Sequence, residues 1–163
     1  MILRAATEAD RGAIWEILRP VFRAGDTYTV DPDISEADAL AFWCDPKARV
    51  FVAEEDGIVG TYYIRPNKDG GGAHVCNCGY VTAPAAQGRG VARAMLAHSL
   101  ETARAMGFRA MQYNFVVATN ARAIATWERA GFSVVGRLPG AFFSPAHGYV
   151  DALVMFKELV DGT

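Results

Sequence analysis

Apolar residues recur along this chain with two different periods, and the switches between them mark its elements. Ile14, Ile17, Leu18 and Phe22 are spaced by threes and fours, as on one face of a helix. Thr7-Glu8-Ala9-Asp10 ahead of them has the form of a capping box, with Asp where Glu or Gln is usual. Pro20 is expected to interrupt that helix in its last turn. Ser35-x-x-Asp38 predicts a second N-cap and a helix to about Cys44, with Leu40 and Trp43 inward. Residues 22–32, between the two helices, read as irregular and contain Tyr28 and Asp31.

The period then shortens to two. Residues 49–54 and 58–65 read as strands joined by Glu55-Asp56-Gly57, which has hairpin-turn chemistry. Residues 66–72 form a loop that ends in glycines, and residues 73–82 make a strand that Pro84 closes. Helical spacing returns in Val91, Met95, Leu96, Leu100 and Ala103. Gly107 is placed to end that helix, with Phe108 as the apolar contact after it. Residues 109–117 are strand-like. A helix follows from Thr119 or Asn120 to about Ala130, and Gly131-Phe132 ends it in the same way. A short strand over 133–137, a loop over 139–147 and a strand over 149–159 complete the chain, and residues 1–5 are a further strand candidate. This order predicts an α/β fold: a mixed, mostly antiparallel central sheet flanked by helices, with a parallel strand–helix–strand crossover within residues 73–117.

Bulk composition narrows the function. The 163 residues suffice for one domain, read here as residues 1–163. With 52% hydrophobic and 21% charged residues, the chain should be globular. A net charge of −2 makes no case for nucleic acid or an anionic membrane as partner. No apolar run is long enough to span a bilayer, and Met1-Ile2-Leu3-Arg4 lacks a leader pattern. Cys44, Cys76 and Cys78 do not make a disulfide framework. Cys76-x-Cys78 has no second ligand pair, and in a strand both thiols face the same way. They are expected to be core or lining thiols of a cytoplasmic protein, with no metal.

The candidate chemistry starts at Gln87-Gly88-Arg89-Gly90-Val91-Ala92, where a strand gives way to a helix. Such a turn points several backbone N–H groups at one spot, with the positive end of the helix dipole behind them, and so suits a phosphate-type anion. Gly88 and Gly90 permit close approach, and Arg89 and Arg93 add charge at that end. A nucleotide P-loop needs G-x-x-x-x-G-K-[ST], which is absent, and a dinucleotide turn needs a third glycine where Arg93 stands.

The pattern that fits is Q/R-x-x-G-x-G/A. Through Gln87, Gly90 and Ala92 the loop resembles the pyrophosphate loop of the GNAT superfamily of acyl-CoA-dependent N-acyltransferases. About 30 residues on, the usual length of one strand–helix–strand passage, Asn120-x-x-Ala123-x-x-x-Trp127-x-x-x-Gly131-Phe132 is similar to the superfamily's second signature, N-x-x-A-x-x-x-Y-x-x-x-G-F. The resemblance is good from Arg49 to Leu159. It implies acetyl-CoA as cosubstrate. Gln87 to Ala92 would hold its pyrophosphate, and the strand edge at Tyr80, Val81 and Thr82 would pair with its pantetheine arm in the manner of strand addition. Asn120 would bond the pantetheine, or cap a helix, or do both. Trp127 replaces the Tyr that often acts as general acid. An indole cannot protonate a thiolate, so Trp127 is either a wall of the coenzyme site or core packing.

Further segments, His74 to Tyr80, Asn114-Phe115-Val116, Gly136 to Pro139 and Tyr149 to Ala152, resemble the GNAT branch that includes the yeast N-acetyltransferase of proline analogues such as azetidine-2-carboxylate. That resemblance places Asn77 at the acceptor nitrogen as the catalytic candidate, with Asn114 and Asn120 as further site residues. Asn77 shares a strand face with Gly79, which is expected to leave open space beside it. Water, His74, Glu54 and Asp151 stay open as bases. The expected function is acetyl transfer from acetyl-CoA to a small-molecule amine or an amino or imino acid, by direct attack in a ternary complex. A homodimer is among the expected assemblies. A protein N-terminus or lysine is the alternative acceptor, and a non-catalytic acyl-CoA sensor is the alternative of another class. The helices of the first third are expected to shape the acceptor pocket.

Overall fold

The structure is a computed structural model that describes residues 1–160. Its helices and strands follow the sequence order: β1 (Ile2–Ala5), α1 (Arg11–Ala24), α2 (Glu36–Trp43), β2 (Arg49–Glu54), β3 (Ile58–Pro66), β4 (Val75–Thr82), α3 (Val91–Ala105), β5 (Ala110–Val117), α4 (Ala121–Arg129), β6 (Ser133–Ser144) and β7 (Gly148–Glu158). The strands make one seven-stranded sheet in the order β1-β2-β3-β4-β5-β7-β6. Every neighbouring pair is antiparallel except β4–β5. The α/β class and the mixed sheet are as the sequence predicts.

Local chemistry sets most boundaries. The Ser35 hydroxyl accepts from the Asp38 N–H at 3.1 Å and opens α2. Asp56 and Gly57 both take positive φ, as a tight hairpin between β2 and β3 requires. Gly107, at φ 89°, ends α3 while Phe108 N–H bonds Ala103 C=O, and Gly131 with Phe132 ends α4 likewise.

Two boundaries differ from the sequence expectation. Pro20 lies inside α1, which continues to Ala24 and ends at Gly25 in the left-handed region. An internal proline costs a helix about 3 kcal/mol. Burying a large apolar side chain returns about 1.5–3 kcal/mol, and Phe22, just past the proline, is 1% exposed. The solvent-facing Pro20 is therefore tolerated. The second difference is β6, which runs through the expected loop to Ser144. It is the outer strand of the sheet, where a proline at 139 removes no ladder bond that the sheet needs. Register shifts at Val134/Gly136 and Leu138/Phe142 absorb the irregular residues.

The sheet carries a core on each face. Tyr62, Ile64, Cys76 and Cys78 pack against α3 through Met95 and Leu96. Both cysteines are buried there, as expected. On the other face Tyr63 and Val81 meet α1 and α2 through Leu18, Phe22 and Trp43. The indole of Trp43 donates to Thr61 Oγ1 at 3.1 Å, and that hydroxyl donates to Phe51 C=O. The α1–α2 pair is thereby fixed to the face that bears Tyr63, Asn77 and Gly79.

One ion pair ties β1 to the start of α1. Arg4 forks onto Asp10 at 2.8 and 2.9 Å, and Thr7 N–H adds a third bond at 2.7 Å. The Arg4 guanidinium holds the Asp10 carboxyl well below its ordinary 3.8, against the opposing effect of burial. A depressed folded pKa stabilises the fold above the unfolded value and ceases to do so as pH falls through the folded one. Asp10→Asn should therefore melt below the parent at neutral pH. The two melting curves should converge as pH drops below 3.8. A gap that stays constant across that range would refute this assignment.

Candidate active site

The site forms where β4 and β5 part. Their parallel ladder extends only over Val75↔Ala110 and Cys76↔Met111. Ala83 N–H bonds Val59 C=O on β3. By the alternation of antiparallel pairing, Gly79 and Val81 also turn their backbone groups to β3, whereas Cys78, Tyr80 and Thr82 turn theirs toward β5. β5 has already diverged there. The N–H and C=O groups of Tyr80 and Thr82 thus face a cleft instead of a partner strand. One of them is engaged: Tyr28 Oη donates to Tyr80 C=O at 3.0 Å.

A cavity of about 290 Å³ fills this gap. Asn77, Gly79 and Tyr80 form one wall, Asn114 to Val117 with Asn120 and Trp127 the opposite wall, and Thr27 to Thr29 with Phe42 the end toward α1 and α2. The structure therefore brings Asn77, Tyr80, Asn114, Asn120 and Trp127 together around one space. Val81 is buried on the α1 side and Thr82 continues the strand toward the glycine loop.

Asn77 is 7% exposed and bonded on both sides. Its Oδ1 accepts from Tyr63 Oη at 3.1 Å, and its Nδ2 donates to Gln112 C=O at 3.0 Å. The second bond bridges β4 to β5 one residue beyond their last ladder pair. One amide N–H and one lone pair remain free for a ligand. The open space expected beside Gly79 is not there. A Cβ on Gly79 would sit 2.6 Å from the Tyr63 ring and 3.0 Å from Tyr28 Oη. The glycine admits an aromatic neighbour, and the cavity lies beyond it.

The glycine loop sits at the far end of β4. A short 3-10 turn over Pro84–Ala86 leads to Gly88 and Gly90, both in the left-handed region at φ 80° and 81°. Gly90 caps α3 with no side-chain bond, so the first N–H groups of the helix are left for a ligand. A Cβ on either glycine would meet nothing within 4 Å. Arg89 departs from expectation: its guanidinium turns to Glu55 at 2.9 Å, so its charge is partly neutralised by the β2–β3 hairpin. Val91 is buried beneath β3 and offers only its backbone N–H, while Ala92 is exposed.

Asn120 caps α4, its Oδ1 accepting from Ala123 N–H at 3.3 Å, and also lines the cavity. Trp127 packs into the core and also lines the cavity. Its ring packs 5.3 Å from Tyr80, 4.9 Å from Tyr113 and 6.5 Å from Phe132, and one side remains on the cavity. Trp127→Phe should therefore keep most activity, with no basic limb in the pH–rate profile lost. A fall in kcat beyond about a hundredfold, the lower end of general acid–base effects, in a normally stable variant would contradict this.

None of the side chains considered as bases reaches the cavity. His74 is exposed at the start of β4. Glu54 pairs with Arg4 at 3.2 Å, and Asp151 accepts from Arg137 at 2.6 Å and from Gly140 N–H at 3.0 Å. Among the described residues, the cavity lining holds no carboxylate and no imidazole. Burial pushes the Tyr28 hydroxyl well above its ordinary value, so it acts as a donor and not as a phenolate. Among the described residues, no three His, Cys, Asp or Glu side chains cluster as a metal site would require.

Tyr28, Phe42, Tyr63 and Arg65 line the cavity without having been read as site residues in the sequence. Tyr28 falls in a segment without periodicity. Tyr63 and Arg65 read only as strand residues, because the β3–β4 register that sets them opposite Gly79 and Asn77 spans the longer connection over 67–74.

Residues 12–132 match the acetyltransferase (GNAT) family. The chain is 30% identical over 148 residues to the N-acetyltransferase aca1 of Schizosaccharomyces pombe, covering 80% of this chain and 71% of that protein. It is also similar to a GCN5-related N-acetyltransferase from Kribbella flavida, with 40% identity and a TM-score of 0.92 over 96% of each chain. The same fold occurs in yncA of Salmonella typhimurium, solved with its cofactor acetyl-CoA. There the TM-score is 0.87 at 24% identity, covering 100% of this chain and 96% of that one.

Proposed function

This chain belongs to the acetyltransferase (GNAT) family, and from that premise we propose that it moves the acetyl group of acetyl-CoA to the primary or secondary amine of a small molecule. The observation that carries the acceptor class is the cavity. It ends against Tyr28, Phe42 and Tyr63 and holds about 290 Å³ in all, a space that suits a small amine.

The C-terminal end of β4 and the loop that follows it serve the donor. The amides around Gly88 and Gly90 receive the pyrophosphate, and the unpaired edge at Tyr80 and Thr82 receives the pantetheine amides. The thioester then lies near Asn77. The amine attacks the carbonyl carbon and a C–N bond forms. The carbonyl oxygen takes the negative charge within reach of the Tyr80 N–H. As the C=O bond reforms, the C–S bond breaks and the sulfur leaves with the electron pair. Water takes the proton from nitrogen, and the thiolate regains one from water. A free thiol has a pKa of about 8.5, so this leaving group needs no strong acid, consistent with an indole at position 127. The protein's part is positioning and oxyanion stabilisation. No covalent acyl-enzyme forms.

Thiol release from acetyl-CoA, measured with and without protein against small amines, amino and imino acids, and peptides, tests the proposal. Release with small amines or with amino or imino acids is expected. Release only with peptides would move the acceptor to a protein N-terminus or lysine. Tight acetyl-CoA binding without release would make the chain an acyl-CoA-binding domain, the reading that the missing base favours.

A further inference from the structure

Tyr28 reaches the cleft from a loop that has no regular structure of its own. α1 stops at Gly25, and the base of the loop is pinched there. Arg23 donates to Pro32 C=O at 2.6 Å, and a Cβ on Gly25 would lie 3.3 Å from Pro32. From that base the Tyr28 ring enters the α1–α2 core edge-on, its centroid 5.4 Å from that of Phe22 and 5.8 Å from that of Trp43. Trp43 is fully buried and bonded to Thr61 on β3. Thr61 stands opposite Val81, the residue after Tyr80 on β4. A closed circuit results. It runs from Tyr80 and Val81 through Thr61 and Trp43 to Tyr28, and the Tyr28 hydroxyl closes it on Tyr80 C=O at 3.0 Å.

The parting of the strands gives that last bond its effect. Inside a sheet a strand carries ladder bonds along both edges. After Cys76↔Met111 the ladder to β5 has ended, so at Tyr80 β4 is held to β3 along one edge. A strand held along one edge can roll about it, and the N–H and C=O groups on its free edge then swing. The residue before Tyr80 adds to this freedom, because Gly79 has no side chain. The Tyr63 ring, 2.6 Å from where a Cβ of Gly79 would sit, requires a glycine there. The Tyr28 hydroxyl supplies on the free edge the bond that a partner strand would have made. A carbonyl oxygen has a second lone pair, which leaves room for a pantetheine amide on the same group.

We propose that Tyr28 is a positioning residue for the transfer step: by pinning Tyr80 C=O, it holds the free edge of β4 so that the Tyr80 N–H points at the thioester oxygen. This rests on the reading above, in which that N–H takes the developing negative charge. An oxyanion donor is effective because it is aimed before the charge appears and needs no reorganisation when it does. Tyr28 makes and breaks no bond to the acetyl group. Its hydroxyl proton stays between Tyr28 and Tyr80 throughout.

Two measurements on Tyr28→Phe test the proposal. The variant keeps the ring, and with it the contacts to Phe22 and Trp43, and loses only the hydroxyl. With a small amine that the parent acetylates, kcat should fall by about 10- to 10²-fold, less than for outright removal of an oxyanion donor, while KM for acetyl-CoA stays within about threefold. The second measurement needs no acceptor. In the infrared spectrum of bound acetyl-CoA, isotope-labelled at the thioester carbonyl, the parent should show that band at lower frequency than in free acetyl-CoA. Tyr28→Phe should return it most of the way. Replacing Tyr28 by para-aminophenylalanine, which keeps a donor at nearly the same reach, should recover the displaced band and most of kcat. A folded Tyr28→Phe protein with parental kcat and parental band would overturn the proposal. So would a rise in KM for the amine alone with the band unmoved, which would make Tyr28 a wall of the acceptor pocket. A Tyr28→Phe protein that does not fold would make the bond structural and overturn it as well. A displaced band that Tyr28→Phe abolishes, in a parent that acetylates no small amine, would support the role of Tyr28 and overturn the acceptor class proposed above.

Discussion

Asn77→Ala is expected to fold, to bind acetyl-CoA nearly as the parent does, and to turn over at least about a hundredfold more slowly. The expectation follows from position. Asn77 lies past the last β4–β5 ladder pair and ahead of the unpaired backbone at Tyr80, at the thioester end of the cleft and remote from the glycine loop. Its remaining lone pair can accept from the incoming amine and its remaining amide N–H can donate to the thioester oxygen, but an amide cannot take a proton. If that bond strengthens in the transition state, its loss appears in kcat and not in coenzyme affinity. One donor at such a place is worth about 2.7–4 kcal/mol, or 10²–10³-fold. The structure also supplies the competing view. Asn77 bonds Tyr63 and Gln112, so it braces the divergence of the two strands. A variant that loses stability yet keeps kcat would mean that bracing is its whole role. Asn77→Asp separates the views further, since a carboxylate offers a base and should raise the relative rate at high pH.

Gly90→Glu should abolish acetyl-CoA binding while leaving the fold intact. The fold survives because nothing lies within 4 Å of a Cβ at that position. Some strain is unavoidable, because φ is 81°, a region that costs a non-glycine residue roughly 1–2 kcal/mol. Binding fails because the same empty space is where phosphate oxygens must approach the amides, and a carboxylate there repels them. Calorimetry showing parental affinity in a folded Gly90→Glu protein would remove the pyrophosphate role from this loop.

Elements governed by neighbours in sequence were legible beforehand. The caps at Ser35, Gly107 and Gly131 and the hairpin at Asp56-Gly57 depend on a few adjacent residues, and each appears where its chemistry puts it. Pro20 and the proline at 139 were misleading for the converse reason. A proline's local effect is fixed, but its cost is weighed against burial of Phe22 in one case and excused by a sheet edge in the other. The site follows the same division. Gln87 to Ala92, Asn120 and Trp127 stood out because they form short linear patterns. Tyr28, Phe42 and Arg65 did not, because their meaning arises only when α1, α2 and β3 converge on the face opposite α3. Gly79 was misjudged for lack of one long-range fact, the Tyr63 ring lying over it.

The central claim is that acetyl transfer takes place in the cleft between β4 and β5 beside Asn77. A crystal structure with coenzyme A and an acetylated amine tests it most directly. The account predicts the pyrophosphate on the amides around Gly88 and Gly90, the pantetheine along Tyr80 and Thr82, and the product nitrogen within hydrogen-bonding reach of Asn77. A thiol lying instead on the α3 face near Cys78, or a product bound away from Asn77, would contradict it.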